Sequence, residues 1–487
     1  MTDTFRTFLL IFRHEGRVIL ADRSLWLVTA ILASLIFYAL YNGFNATTSR
    51  ERTIANLREL QQEKQRSNIA QLARIMEGKE LPDPFANPAD PASIGSDMGG
   101  PFAVMPILPL APLAFGQSDI QPDYYQITYR SKANFMYDTE IENPWNLLTG
   151  HFEPSFVIVY VLPLLIFSLS YNLLSAEREH GTLKMLLSQP VDLSTIVAGK
   201  IAVRALPVLA CVTLLPAMVL LVLRPELLHI KNLSLLLLFI AETMAYGLFW
   251  FVLALLVNAW GGSSAANALV LITSWVFLVL ILPIILNVMV STLQPAPSRI
   301  ELATRTRLIA IHTLNHYNDL LSADYRYTTQ PEILLPKDGK IDVPKRRRGL
   351  FFLQRDQDQE LQEMLNRFET QLAAQQALVD RFSFLSPAIV LSEGLTALAG
   401  SGTHRHLHFR GLVDRFHREW KAYFEPRILR GVAIKEADFQ TMPAFTWKEQ
   451  SFSAVVIDAL VRLLQILIPT FIMVWLTRRL LFNYRVI

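Results

Sequence analysis

Residues 25–44 have the sequence LWLVTAILASLIFYALYNGF, which contains no charged side chain. In a helix, each residue adds about 1.5 Å, so this stretch would extend about 30 Å, the thickness of the hydrocarbon core of a bilayer. A secretory signal peptide has a shorter apolar region, followed by small residues at a cleavage site. The stretch therefore predicts a transmembrane helix that stays in the protein.

Five more apolar stretches have the length and composition of membrane spans, at 154–175, 201–223, 233–260, 263–287 and 452–476. The composition agrees, because 52% of the residues are hydrophobic and only 18% are charged, whereas soluble domains have about 25% charged residues. Inside lipid a helix satisfies its own backbone hydrogen bonds. The sequence thus predicts an all-α integral membrane protein with six transmembrane helices.

Lysine and arginine residues near the ends of the spans predict the orientation of the chain. They are concentrated in residues 1–24, in the turn at 176–200 and in the tail at 477–487. Six spans place these three segments on one side, and the positive-inside rule makes that side the cytoplasm. Three arginines after the first span argue weakly against this orientation. We therefore expect cytoplasmic N and C termini, with residues 1–24 forming an amphipathic interfacial helix; a frayed tail is the alternative.

Two long inserts, 45–153 and 288–451, separate the spans. Apolar residues recur at helical spacing at the start of the first insert, and at about 298–324 and 356–382 in the second. Neither insert alone contains a rich apolar core. We expect the two to form one helical-rich extracytoplasmic domain, with four transmembrane helices in 154–287 between them and one more at 452–476.

The turn between the second and third predicted spans contains the sequence SAEREHGTLKMLLSQP at 175–190. A charged helical piece ends at Gly181, and an apolar piece follows. Charges would fix the register on a partner, while Leu183, Met185 and Leu186 would fill its groove. The sequence thus predicts a docking element at 176–200, and an ordinary amphipathic connector is the alternative.

The motifs EREHGTL at 177–183, QP at 189–190 and GK at 199–200 resemble the signature of ABC type-2 exporter permeases. LAPLA at 110–114, GQSDI at 116–120, ENP at 142–144, GHFE at 150–153 and LSPA at 385–388 resemble one subfamily, which has two large outer inserts. That subfamily is loosely associated with multicopper-enzyme maturation permeases.

The resemblance implies that the turn is a coupling helix that docks on ABC ATPase subunits. The residues that it implies in this contact are Glu177, Arg178, Glu179, Gly181, Thr182, Leu183 and Leu186. It also implies a second permease subunit, identical or paralogous, and a location in the bacterial cytoplasmic (inner) membrane.

Several functional classes lack their sequence signals. No G-x-x-x-x-G-K-[ST] motif occurs, so we expect ATP and Mg²⁺ to be bound by a partner ATPase and no cofactor by this chain. H-E-x-x-H and G-x-S-x-G are also absent, which disfavours a membrane-anchored hydrolase. The net charge of +3 argues against nucleic acid as a partner.

We therefore expect a non-enzymatic permease subunit that couples ATP hydrolysis to export. The alternative is ATP-driven force transmission through the inserts to an extracytoplasmic protein.

Two polar runs in the second insert have competing interpretations. His404, His406 and His408 would share one face of a strand and could bind a metal, but no neighbouring ligand completes the set. A surface turn leading into a helix is favoured, and we expect no metal site. The basic run at 345–348 favours a solvated loop, with contact to lipid headgroups or an acidic partner as the alternative.

Three charges lie within predicted spans: Glu242, Asp458 and Arg462. A lone charge at such depth costs at least about 2.5–3.5 kcal/mol, so each should have a partner. One hypothesis pairs Asp458 with Arg462, four residues apart on one helix face, and leaves Glu242 protonated or hydrogen-bonded. A second has Arg462 bridging Asp458 and Glu242, and a third has the Arg462 side chain reaching out to water.

Overall fold

The computed structural model describes residues 2–21, 23–116, 121–132, 152–188, 192–295, 299–316 and 326–482. Six of its helices are long and apolar enough to cross a membrane, and we number them as the first to sixth spans: Ser24–Met76, Pro154–Glu179, Leu193–Leu223, Ile230–Ala259, Ser264–Leu293 and Phe452–Phe482. Among the described residues the only sheet has two strands, Phe102–Val104 and Tyr124–Gln126. The chain is therefore a helical, multi-pass membrane protein.

Other helices flank or connect the spans. The longer ones are Thr2–Ala21, Arg299–His316, Lys345–Phe382, Pro387–Ala399 and Thr403–Arg430. Shorter helical segments are Pro91–Ser93, Ile94–Met98, Ala111–Leu113, Pro225–Leu228, Arg326–Thr329, Pro331–Leu334, Ser383–Leu385 and Asp438–Thr441.

Two spans contain a turn of π-helix next to a proline. In the second span the π segment Val157–Val161 precedes Pro163, and in the fifth span Val276–Ile281 precedes Pro283. Proline has no backbone N–H and its ring crowds the preceding turn, so the hydrogen-bond ladder widens there. The apolar sequence continues through both irregularities, and each span keeps its length.

The first span is longer than its apolar stretch. The helix Ser24–Met76 has 53 residues, about 80 Å, and continues past residue 44 into the first insert. No proline occurs within it, and Ile54, Leu72 and Ile75 bury apolar side chains along its polar half. The membrane part and the insert are thus joined by one continuous helix.

The N-terminal helix Thr2–Ala21 packs along the third span. Its Glu15 carboxylate lies 3.5 Å from Lys200 Nζ and 3.8 Å from Arg204 Nη1. A Cβ at Gly199 would lie 2.7 Å from the Ile11 side chain, so a residue without a side chain allows the two helices to approach closely. These contacts hold the helix against the base of the bundle.

The largest core cluster combines residues of all six spans with a helix from the second insert. The helix Pro387–Ala399 buries Val390, Leu391, Leu395 and Leu398 against the spans. Ser386 precedes it and donates a hydrogen bond to the Leu278 carbonyl oxygen (2.8 Å) in the fifth span. With 13 residues this helix is too short to cross a bilayer, so a search for spans by length overlooks it.

A second core cluster joins residues from both inserts. Leu72, Ala103 and Tyr125 from the first insert pack with Phe409 and other aromatic residues from the second. The second insert contributes Phe351, Phe416, Trp420 and Phe424 to this cluster. The rings of Trp420 and Phe424 lie 4.6 Å apart, centroid to centroid. We call this cluster the insert core.

The second insert is more helical than its sequence periodicity indicates. The helix predicted at 356–382 begins eleven residues earlier, at Lys345, so the basic run at 345–348 is its first turn and not a solvated loop. Arg347 Nε lies 3.9 Å from the buried Asp90 carboxylate, and Arg346 stacks on the Phe85 ring. The helix predicted at 298–324 is described from Arg299 to His316.

Two buried histidines of the helix Thr403–Arg430 make stability depend on pH. Burial lowers the pKa of His406 and of His417 to about 4, against about 6.5 in an unfolded chain. Their contribution to the free energy of unfolding is complete above pH 6.5 and is lost as the pH falls towards 4. The reason is that the unfolded chain then binds protons that the folded chain excludes. By pH 5 each histidine should lower the free energy of unfolding by about 2 kcal/mol.

Thermal or denaturant unfolding at pH 7 and pH 5 measures this effect. His417→Gln should remove about half of the pH-dependent loss, and the amide can still donate to the Arg130 carbonyl oxygen that His417 contacts at 2.9 Å. His229→Gln, at an exposed position, is the control. An unchanged pH dependence in His417→Gln would contradict the prediction.

Candidate functional site

The turn predicted to dock on a partner consists of two short helices, Ser175–Glu179 and Thr182–Leu187. Gly181 lies between them with φ of +75°, in the left-handed region that glycine adopts most easily. The change of direction that the sequence predicts at Gly181 is therefore a property of its backbone.

Glu177 joins this turn to the third span. Its carboxylate accepts a hydrogen bond from Lys200 Nζ at 2.7 Å, and its carbonyl oxygen accepts one from the Thr182 hydroxyl at 3.1 Å. Lys200 is 5% exposed and also contacts Glu15 of the N-terminal helix. A buried ammonium requires charged partners, so Glu177 and Glu15 hold Lys200 between them.

Arg178 and Glu179 join the same turn to the connection between the fourth and fifth spans. The Arg178 guanidinium donates to the carbonyl oxygens of Gly261 and Gly262, the latter at 2.6 Å. The Glu179 carboxylate accepts from the Ser264 backbone N–H at 2.7 Å and from its hydroxyl at 2.8 Å. Ser264 begins the fifth span, so Glu179 acts as a cap for that helix.

The three charges therefore make bonds within the chain, although Glu179 is also part of the exposed surface of the turn. His180, Thr182, Met185 and Ser188 are exposed, and Met185 is the most prominent apolar one, with 73% of its surface exposed. Leu183 is buried with Leu174, Val197 and Leu481. The Leu186 side chain and residues 189–191 lie outside the described part of the chain.

Sequence reasoning missed a buried amide next to the turn. Asn258, 1% exposed, donates to the carbonyl oxygens of Ser170 (3.0 Å) and Ala254 (2.8 Å), and its side-chain oxygen accepts from the Leu174 backbone N–H at 3.2 Å. The bonds to Ser170 and Leu174 tie the end of the fourth span to the last turns of the second. An asparagine near the end of a mainly apolar span is the signal that could have identified it.

The intramembrane charges meet at the junction of the sixth span with the helix Pro387–Ala399. Arg462 Nε donates to Asp458 at 2.8 Å, and Nη1 donates to Glu393 at 2.5 Å. Glu393 was not among the candidates, because it belongs to a helix that the sequence placed in the second insert. Glu393 is thus the second partner that Arg462 has in the structure.

Glu242 is placed differently from the other charges. It is wholly buried, and neither carboxylate oxygen has a hydrogen-bond partner among the described residues. A Cβ at Gly394 would lie 2.2 Å from Glu242 Oε2, so this glycine makes room for the carboxyl group. No ion pair between Glu242 and Arg462 occurs within the described chain, so the bridge between these two residues is not seen.

The three clustered histidines lie in a helix and not in a strand or a surface turn. The helix Thr403–Arg430 places His404 and His408 one turn apart, while His406 is buried on another side. His404 lies 3.3 Å from Asp380, which raises the pKa of the imidazole. In the part of the chain that the structure describes, no group of three metal-ligating side chains occurs.

Comparison with known protein families matches one segment of the chain. A family model described as "Domain of unknown function (DUF3526)" matches residues 346–448, about a fifth of the chain. That segment includes the helices Pro387–Ala399 and Thr403–Arg430 and most of Lys345–Phe382. No curated protein and no solved structure matches the chain.

Proposed function

We propose that this chain is the membrane-spanning permease subunit of an ABC exporter. Separate ATPase subunits bind ATP and Mg²⁺, and a second permease subunit, identical or paralogous, completes the complex in the bacterial cytoplasmic membrane. The termini and the turn around Gly181 face the cytoplasm, and the two inserts face outward. The distribution of lysine and arginine supports this orientation, and the resemblance of residues 177–183 to a coupling helix supports the partner.

The observation that carries the proposal is the bonding of the turn. Glu177 binds Lys200 on the third span, and Glu179 and Arg178 bind the connection between the fourth and fifth spans. Leu183 packs on Leu481 at the end of the sixth span. A displacement applied to the exposed Met185 surface would therefore reach four spans together, as coupling of ATP hydrolysis to membrane helices requires.

Photo-crosslinking tests the contact with the ATPase. A benzoylphenylalanine at Met185 should form a covalent product with a protein that contains G-x-x-x-x-G-K-[ST], identified by mass spectrometry of material purified from the native membrane. The matched control is the same group at Phe85, an aromatic residue of the first insert that is 62% exposed. A Met185 product without that motif, or the same ATPase product from both positions, would contradict the proposal.

A second function is favoured by the continuous first helix. Ser24–Met76 is one uninterrupted helix, about 80 Å long in total, that runs from the bundle into the insert core. Movement of the spans would therefore be transmitted along this helix to the insert core. The subunit would then transmit force to an extracytoplasmic protein without transporting a substrate. A structure of the assembled complex separates the two: export requires a polar path between paired subunits, and force transmission an apolar, closely packed seam.

A further inference from the structure

A cavity of about 550 Å³ lies where the sixth span, the helix Pro387–Ala399 and the start of the helix Thr403–Arg430 meet. Its volume is within the range of about 300–1,000 Å³ that is typical of sites for small molecules. The residues of its wall that matter here are Glu393, Arg405, Glu449, Ala454, Asp458 and Arg462. Neither the docking turn nor Glu242 contributes to it.

In this wall the arginine side chains are more buried than the carboxylates that they bind. The Arg462 side chain is 8% exposed, whereas its partners Asp458 and Glu393 are 42% and 23% exposed. The Arg405 side chain is 6% exposed and its partner Glu449 is 43% exposed. The cavity therefore presents carboxylate oxygens from three segments of the chain.

The hydrogen bonds that the two arginines donate run to carboxylates of the cavity wall or to backbone carbonyl oxygens. Arg405 donates to the carbonyl oxygens of Gly400 and Pro106, both at 2.9 Å, and to Glu449 at 2.8 Å. His404 also lines the cavity and is paired with Asp380 at 3.3 Å. An anionic ligand would meet the exposed carboxylates first. A ligand with N–H donors and positive charge can use their remaining lone pairs.

The rest of the wall is mixed, with polar side chains that include Gln376, His408 and Gln450, and with small and apolar residues. Its apolar residues are Ala397, Ala454 and Val455. A wall that contains both carboxylates and apolar side chains suits an amphipathic ligand. A primary ammonium has three N–H donors, and a carboxylate oxygen is a charged acceptor for such a donor.

We propose that this cavity binds a primary ammonium group carried on an apolar body. Two sources have this chemistry: a soluble hydrophobic amine, and the headgroup of phosphatidylethanolamine with its chains. This proposal rests on the cavity alone and does not require the ATPase partner. A failed cross-link at Met185 would therefore not count against it.

The test uses the full chain in nanodiscs of phosphatidylglycerol, a lipid without an ammonium group. The probes are 2-phenylethylamine, charged at pH 7, and 2-phenylethanol, which has nearly the same shape and no charge. Isothermal titration calorimetry should show at least tenfold tighter binding of the amine. Equal affinities, or binding of neither probe in these nanodiscs, would overturn the proposal.

Two substitutions locate the binding. Ala454→Phe fills the cavity without changing a charge and should weaken amine binding at least tenfold. Val461→Phe, at a position on the same helix that is 47% exposed and outside the cavity wall, is the matched control. Asp458→Asn keeps an oxygen acceptor for Arg462, so its loss of amine affinity reports the charge even if Ala454→Phe fails to fold. Unchanged affinity in Asp458→Asn would also overturn the proposal.

Nanodiscs of phosphatidylethanolamine distinguish the two sources. If the lipid headgroup occupies the cavity, amine binding seen in phosphatidylglycerol should be lost there, and native mass spectrometry should show phosphatidylethanolamine retained by wild type but not by Ala454→Phe. If the natural ligand is a soluble amine, the affinity should be the same in both lipids. Both results support ammonium binding and assign its source.

Discussion

Arg462→Gln should lower the free energy of unfolding by about 3 kcal/mol, because one guanidinium neutralises two carboxylates. The Arg462 side chain is almost wholly buried and donates to Asp458 and Glu393 at 2.8 Å and 2.5 Å. Its removal leaves Glu393 facing Asp458 with no cation between them. The loss lies at the low end of the range for buried pairs because Asp458 is partly exposed.

Unfolding in detergent, followed by circular dichroism, measures the change. Arg418→Gln is the matched control, because Arg418 also pairs with an acidic residue four positions away, Asp414, but is 68% exposed and should lose less than about 1 kcal/mol. The double variant Arg462→Gln with Glu393→Gln should cost less than the sum of the single variants. Additive losses would show that the Glu393 contact contributes nothing.

The same cycle separates the two pairing hypotheses drawn from the sequence. Because the structure gives Arg462 no ion pair with Glu242 in its described part, Arg462→Gln and Glu242→Gln should show a smaller interaction energy than Arg462→Gln and Glu393→Gln. An interaction with Glu242 as large as that with Glu393 would restore the bridge between the fourth and sixth spans.

Gly43→Ala should lower the free energy of unfolding by about 3 kcal/mol, at the upper end for overpacking. A Cβ at this position would lie 2.1 Å from the Pro112 carbonyl oxygen, a backbone atom that cannot rotate away. Gly43 lies in the first span, and Pro112 belongs to the 3₁₀ turn Ala111–Leu113 of the first insert. The substitution would push the insert away from the helix that supports it.

The control for Gly43→Ala has the opposite expected sign. Gly411 is in the helix Thr403–Arg430, and a Cβ there would have no neighbour within 4 Å. Gly411→Ala should therefore raise the free energy of unfolding by about 0.5–1 kcal/mol, because alanine loses less backbone entropy in a helix. Equal effects of the two substitutions on the unfolding midpoint would show that the close approach at Gly43 is not tight.

Much of the candidate site could be predicted from neighbouring residues in the chain. The change of direction at Gly181 follows from the residue type, and the charged and apolar halves of the turn follow from their order. The sequence could not predict which groups these charged side chains bind. Glu177, Arg178 and Glu179 bind groups that are 23 to 85 residues away in the sequence, and such partners are chosen by packing.

The sequence alone determined the six apolar helices and the absence of an ATP-binding motif, because span length, hydropathy and short motifs are local properties of the chain. Tertiary structure decided that Pro387–Ala399 belongs to the bundle and that Glu393 is the second partner of Arg462, 69 residues away. It also decided that carboxylates face the cavity while the arginines lie behind them. The physical reason is that a buried charge takes whichever counter-charge packing brings within hydrogen-bond distance, and sequence spacing does not contain that distance.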